Sequence, residues 1–149
     1  MAGEAFERAL EALAHKERTA AELGAWLAER GFAPEQVADA VERLVAAGAL
    51  DDEAFALRFA ADKRELRGWG PERIREALAE RGLERGLIAA AIAEDDSEQL
   101  QRALDLLERR GETPIDEPSR ARALGFLARR GYEPELAYEA VRCLERRAA

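Results

Sequence analysis

Side chains that do chemistry are scarce in this 149-residue chain: there is one histidine (His15), one cysteine (Cys143), and serine only at positions 97 and 119. A single cysteine excludes an internal disulfide and suits a reducing compartment. Cys143 reads as a small apolar residue of the last helix rather than a reactive thiol. No nucleophile has an evident base, and His15 has no His, Cys or metal-spaced carboxylate with it, so it reads as a solvated residue at a helix end. The expectation is a protein that is not an enzyme and needs no metal or cofactor.

Strand-forming residues are also few. Alanine, leucine, glutamate and arginine dominate, while Val, Ile, Thr and the aromatics, the last only 6%, are sparse, which argues for helices and no sheet. With 48% apolar residues, 11 glycines and 5 prolines the composition is that of a folded chain. The longest uncharged run, Gly86 to Ala93, is far short of the roughly 20 residues a membrane-spanning helix needs. Met1 to Leu10 carries Glu4 and Glu7 and lacks the pattern of a signal peptide, so a cytoplasmic location is expected. The net charge of -8 is spread along the chain and argues against broad attraction to phosphates, although local charge can differ.

What the chain does contain is a repeat. Leu27-Ala-Glu-Arg-Gly-Phe32 returns as Leu78-Ala-Glu-Arg-Gly-Leu83 and as Leu127-Ala-Arg-Arg-Gly-Tyr132, with Gly31, Gly82 and Gly131 lying 51 and 49 residues apart. Ala40-Val41, Ala91-Ile92 and Ala140-Val141 follow at the same spacing each time. An apolar run, an arginine in the last turn and a glycine just beyond it form a helix stop with a left-handed cap, and the apolar residue after the glycine folds back. Pro34 and Pro134 then open a new helix at a position where a missing amide is harmless. The middle repeat has Arg85-Gly86 there, a less regular start.

Upstream of each phrase lies a further helix. Phe6, Leu10 and Leu13 mark the first, and Thr19-Ala-Ala-Glu22 is a capping box for the second. Asp51 and Asp52 open a helix bearing Phe55, Phe59 and Leu66, with carboxylates at the positive end of its dipole. Leu100, Leu104 and Leu107 begin the last triplet. Such short helices are marginal alone and must pack together. The expected fold is all-α: three tandem three-helix modules, residues 1–49, 50–95 and 96–149, forming an elongated, curved array.

The acidic groups Asp51-Asp52-Glu53 and Glu94-Asp95-Asp96 fall where helix starts favour acids, so they read as caps rather than metal ligands. Gly68-Trp69-Gly70 lacks the rest of a phosphate loop and reads as a helix break. The unusual segment surrounds it. Arg58, Lys63, Arg64, Arg67, Arg73 and Arg75 face only Asp62, Glu65 and Glu72 in the count, a local +3 in an acidic protein. With Trp69 among the bases, these seven side chains form the candidate partner-binding set, because an aromatic flanked by arginine suits a binding hot spot.

The stretch Leu50-Asp-Asp-Glu-Ala-Phe-Ala56, then Lys63-Arg64, then Gly68-Trp-Gly-Pro-Glu-Arg-Ile-Arg75 and Arg81-Gly-Leu83 resembles the central motif of the RecX family. That family is known for three tandem three-helix repeats, so the resemblance extends over essentially the whole chain. It implies a monomeric regulator in homologous recombination, DNA repair and the SOS response. Such a protein binds the RecA filament on single-stranded DNA and mainly inhibits its ATPase, extension and strand exchange, with a possible weak contact to the DNA itself. Two other readings stay open: a helix-turn-helix-like DNA-binding protein, against which the net charge weighs, and a helical scaffold for another protein.

Overall fold

A computed structural model describes residues 2–148. Its helices are α1 (Ala2–His15), α2 (Ala20–Glu29), α3 (Pro34–Ala46), α4 (Asp52–Asp62), α5 (Pro71–Glu80), α6 (Arg85–Ile92), α7 (Asp96–Arg110), α8 (Glu117–Arg130) and α9 (Pro134–Ala148), in three successive triplets with no strand among the described residues. No helix there is long and apolar enough to cross a membrane. Gly31, Gly82 and Gly131 all have positive φ, at 89°, 79° and 97°. In each case the next amide donates back across the cap, from Phe32 to the Leu27 carbonyl, Leu83 to Leu78 and Tyr132 to Leu127. The repeated phrase is therefore a repeated helix stop, as its residues demand.

Contacts divide the chain into two compact units that cut across the repeat. The first holds the chain up to Arg58 together with Leu78–Ala91; the second holds Phe59–Ala77 together with the chain from Ile92 onward.

In the first unit, Leu23, Leu27 and Leu44 are fully buried against Ala5, Ala9, Ala12 and Ala40. Each such leucine contributes roughly 1.5 to 3 kcal/mol by leaving water. The face of α1 turned inward is thus its alanine row, which lets neighbouring helices approach closely. Phe6 and Leu13 pack at the edge of this core, and Leu10, expected on the apolar stripe, is 41% exposed. Thr19 caps α2 as its sequence requires: its hydroxyl accepts from the Glu22 amide at 3.2 Å and its own amide donates to the Glu22 carboxylate at 2.9 Å. The cap is also a long-range junction. Thr19 Oγ1 donates to the Arg81 carbonyl at 2.7 Å, and the Arg81 guanidinium grips Glu22 through Nε and Nη2 at 2.6 and 3.0 Å. Partial burial pushes the Glu22 carboxyl up, but the hydrogen bonds from Arg81 and the Thr19 amide, with the charge of Arg81, outweigh it and hold the carboxyl below its ordinary value.

In the second unit, Leu104, Leu107, Ala123, Phe126, Leu127, Ala140 and Val141 form the core, with half-buried Cys143 at its edge. Asp95 caps α7 by accepting from the Ser97 amide, and Asp116 caps α8 by accepting from that of Ser119. Asp51 likewise accepts from the Ala54 amide at the start of α4. Asp51 and Asp95 thus serve as caps, whereas the Glu94 carboxylate turns to Arg64 and Arg102; no group of three metal-ligating side chains stands together among the described residues.

One element departs from the expected pattern. After α4 the chain does not continue as α-helix but widens into a π-helical turn over Lys63–Arg67, ended by Gly68 at φ 66°. The widening rotates the following side chains off the line of Phe55 and Ala60, so Leu66, expected with Phe55 and Phe59 on the apolar face, is 77% exposed.

Candidate partner-binding basin

The basin lies wholly in the second unit and begins with the backbone. The π-helical turn closes with the Gly68 amide donating to the Arg64 carbonyl and the Trp69 amide to the Lys63 carbonyl. The chain then runs onto the cap of α8: the Gly70 amide donates to the Arg130 carbonyl at 2.6 Å and the Glu72 amide to the Gly131 carbonyl at 3.0 Å. Arg73 Nη1 donates to the Arg129 carbonyl at 3.1 Å, and Arg130 Nη1 donates to the Arg67 carbonyl. The glycine-bounded break after α4 and the helix stop before α9 are thereby stitched together through main-chain groups.

This stitching gathers side chains into an open basin of about 570 Å³, lined by Lys63, Arg67, Arg73, Arg110, Arg129 and Arg130 with the rings of Trp69 and Phe126. Half-buried Trp69 sits within range of two cations, the Arg73 guanidinium 4.3 Å and the Lys63 ammonium 4.8 Å from its ring centroid, and packs edge to face against Phe59 at 6.4 Å. Buried Phe126 lies under the Arg110 and Arg130 guanidiniums, at 4.4 and 5.1 Å. Such contacts contribute about 0.5 to 2 kcal/mol each and fix the cations in place. No carboxylate lines the basin. Chemically, the arrangement concentrates six fixed positive charges around two rings with no lining carboxylate.

Of the seven candidates read from the sequence, the structure brings four together here: Lys63, Arg67, Trp69 and Arg73. The other three stand elsewhere. Arg64 turns to Glu94, 3.6 Å away and 5% exposed, a carboxylate that Arg102 also grips. Arg75 pairs with Glu72 on its own helix at 3.0 Å. Arg58 belongs to the first unit, where it pairs with Glu17 at the surface. Four lining residues escaped the sequence reading: Arg110, Phe126, Arg129 and Arg130. One signal was present, because the third copy of the repeated phrase has Arg129 where the first two have Glu29 and Glu80.

Behind the basin, Tyr132 is buried with no hydrogen-bond partner for its hydroxyl, and burial pushes the phenol up to about 12. Arg102, Arg64 and Arg130 oppose that shift, and Glu94 adds to it.

Comparison with known proteins shows what the chain as a whole is similar to. Residues 5–44 match the family model described as the first three-helix domain of RecX, and residues 51–92 match that of its second three-helix domain. Regulatory protein RecX of Xanthomonas campestris pv. campestris (strain B100) is 40% identical over 129 residues, covering 85% of this chain and 79% of that protein. Regulatory protein RecX of Pseudomonas syringae pv. tomato is 36% identical over 126 residues, covering 83% and 81%. The crystal structure of RecX from Lactobacillus salivarius has the same fold, with a TM-score of 0.86 at 17% identity over 97% of this chain and 96% of that one.

Proposed function

The chain belongs to the RecX family, and on that premise we propose that it binds the RecA filament on single-stranded DNA and restrains its ATPase, extension and strand exchange. The observation that carries this reading is the cationic basin of the second unit. A filament of recombinase on a DNA strand is a repeating polyanionic partner, and a chain with net charge -8 can engage it only where its own positive groups converge. The residues at work are Lys63, Arg67, Trp69 and Arg73 from the break after α4, with Arg110, Arg129 and Arg130 from the last triplet. The protein acts as a cytoplasmic monomer and supplies contacts rather than chemistry, so any change in ATP hydrolysis is a change in RecA.

The test is a RecA ATPase assay on single-stranded DNA with increasing amounts of the purified protein. Inhibition that weakens with salt, and that is lost in the double variant Arg67→Glu/Arg129→Glu, supports the reading. Undiminished inhibition by that variant at every salt concentration removes the basin from it. A pull-down against RecA filaments and bare duplex DNA separates this reading from that of a duplex-binding protein.

A further inference from the structure

We infer that Lys63 is an acylation site, at which the amine takes an acyl group from a small acyl phosphate held in the cationic basin. The inference goes beyond the reading of the basin as a partner contact and does not depend on it. The protein is here the substrate and not the catalyst.

The first argument is the amine. The chain has only two lysines, Lys16 and Lys63, and the other five cations of the basin are arginines. An arginine keeps its proton and is a poor nucleophile, whereas a lysine amine attacks carbonyl carbon once it is deprotonated. Lys63 is half-buried on the π-helical turn, its Nζ 4.8 Å from the Trp69 centroid and 5.2 Å from that of Phe59. The rings hold the amine at the basin, and no carboxylate pairs with it among the described residues, so nothing anionic stands between it and an incoming group. Lys16 is the contrast: it is exposed just after α1, outside the basin.

The second argument is the leaving group. The basin, of about 570 Å³, has room for a small molecule, and of its six cations only Arg110 has a carboxylate partner among the described residues, Glu112 at 3.1 Å. Guanidinium forks suit phosphate oxygens, so the dianion of an acyl phosphate is drawn into the same hollow as the amine, and attack there replaces a bimolecular encounter. The step balances without an oxidant or reductant. The ammonium gives one proton to solvent, its nitrogen bonds to the acyl carbon, the bond from that carbon to the phosphate oxygen breaks, and the second proton leaves with the phosphate. The rings set the size of the donor. Trp69 has Arg73 and Lys63 within 4.8 Å of its centroid, and buried Phe126 has Arg110 and Arg130 within 5.1 Å, so no free aromatic face awaits a nucleobase and a small donor is favoured over a nucleotide-bearing one. The product carries a neutral amide where one of the basin's six charges stood.

The experiment is a time course of the full chain with acetyl phosphate, in which peptide mass spectrometry follows acetylation at each lysine and Lys16 serves as the internal reference. Lys63 should be modified at least about fivefold faster than Lys16, although it is the less exposed of the two. Inorganic phosphate, added at constant ionic strength, should slow Lys63 and leave Lys16 alone. The N-hydroxysuccinimide ester of acetic acid has no phosphate to be held and should modify Lys16 at least as fast as Lys63. Arg67→Gln/Arg129→Gln alters two exposed side chains that, unlike those of Arg73 and Arg130, make no main-chain hydrogen bond among the described residues. It should bring the Lys63 rate with acetyl phosphate down to about that of Lys16 and leave both ester rates unchanged. The charge-matched control Arg122→Gln/Arg142→Gln, at exposed positions outside the basin, should behave as the parent does. Equal acetyl phosphate rates at the two lysines, or a Lys63 rate indifferent to inorganic phosphate, overturn the inference. A basin variant in which Lys63 slows equally with both reagents traces the change to the amine rather than to the hold on phosphate, and overturns it as well.

Discussion

Gly70 and Gly131 meet backbone to backbone, so closely that a β-carbon on Gly70 would stand 2.7 Å from both the carbonyl carbon and the carbonyl oxygen of Gly131. The break after α4 and the stop after α8 fit together only because both lack side chains there. The crowding also works in reverse, since a β-carbon on Gly131 would lie 2.5 Å from the Arg73 amide nitrogen.

Two helix-stop glycines should therefore respond differently to the same change. Gly31, at φ 89°, has open space around it, so Gly31→Ala should cost about 1 kcal/mol for the conformation alone. Gly131→Ala adds the collision and should cost about 3 kcal/mol or more. Denaturant melts of the two variants check this, and equal costs would mean that the Gly131 contact yields freely.

Glu94 is the anchor of the π-helical turn, since Arg64 and Arg102 both converge on its nearly buried carboxylate. Glu94→Ala should cost about 2 to 4 kcal/mol, because two guanidiniums lose their counter-charge. Breaking the exposed Arg58–Glu17 pair with Glu17→Ala should cost less than about 1 kcal/mol. Thermal unfolding of both variants against the parent gives the comparison.

Tyr132→Phe should leave stability unchanged or raise it by up to about 1 kcal/mol, since the hydroxyl is buried without a partner. The other two repeats agree, carrying Phe32 and Leu83 at the same place. A loss of stability on removing the oxygen would reveal a hydrogen bond there.

The Glu22 carboxyl is held below its ordinary value in the folded protein, so its contribution is fully present above the unfolded value, near 4.3, and is lost as pH falls through the lower folded value. Acid unfolding of Glu22→Gln should accordingly be less steep in that window, and the variant should be less stable at neutral pH. Parallel acid limbs in the two proteins would mean that the link to Arg81 contributes nothing to the titration.

Much of this fold could be read locally. The helix stops at Gly31, Gly82 and Gly131 were legible because leucine, arginine, glycine and an apolar residue each impose a separate constraint at fixed spacing. The Thr19 box was legible because its partners lie three residues apart. Its second role was not, because Arg81 reaches Glu22 only through the folded chain. The basin was half legible for the same reason. Counting charge along residues 58–75 found Lys63, Arg67 and Arg73, but it weighted Arg64 and Arg75 equally, although carboxylates answer both. It also missed Arg110, Arg129 and Arg130, which join from the far end of the chain. The inward face of α1 was misplaced because leucine outranks alanine in hydrophobicity, whereas close helix approach favours the smaller residue.

The π-helical turn gives this region a spare residue. A turn closed one position late holds one amino acid more than the α-helix would, so a single deletion between Lys63 and Arg67 can be absorbed by reverting to ordinary α-helix, without breaking the rod. Because the wide turn spreads its extra residue over nearly the same angle as an α-helical turn, the deletion would leave everything beyond it facing as before around the helix axis. Trp69 would stay beside its cations and Gly70 against Gly131. At this one point in the chain, length is negotiable while direction is kept.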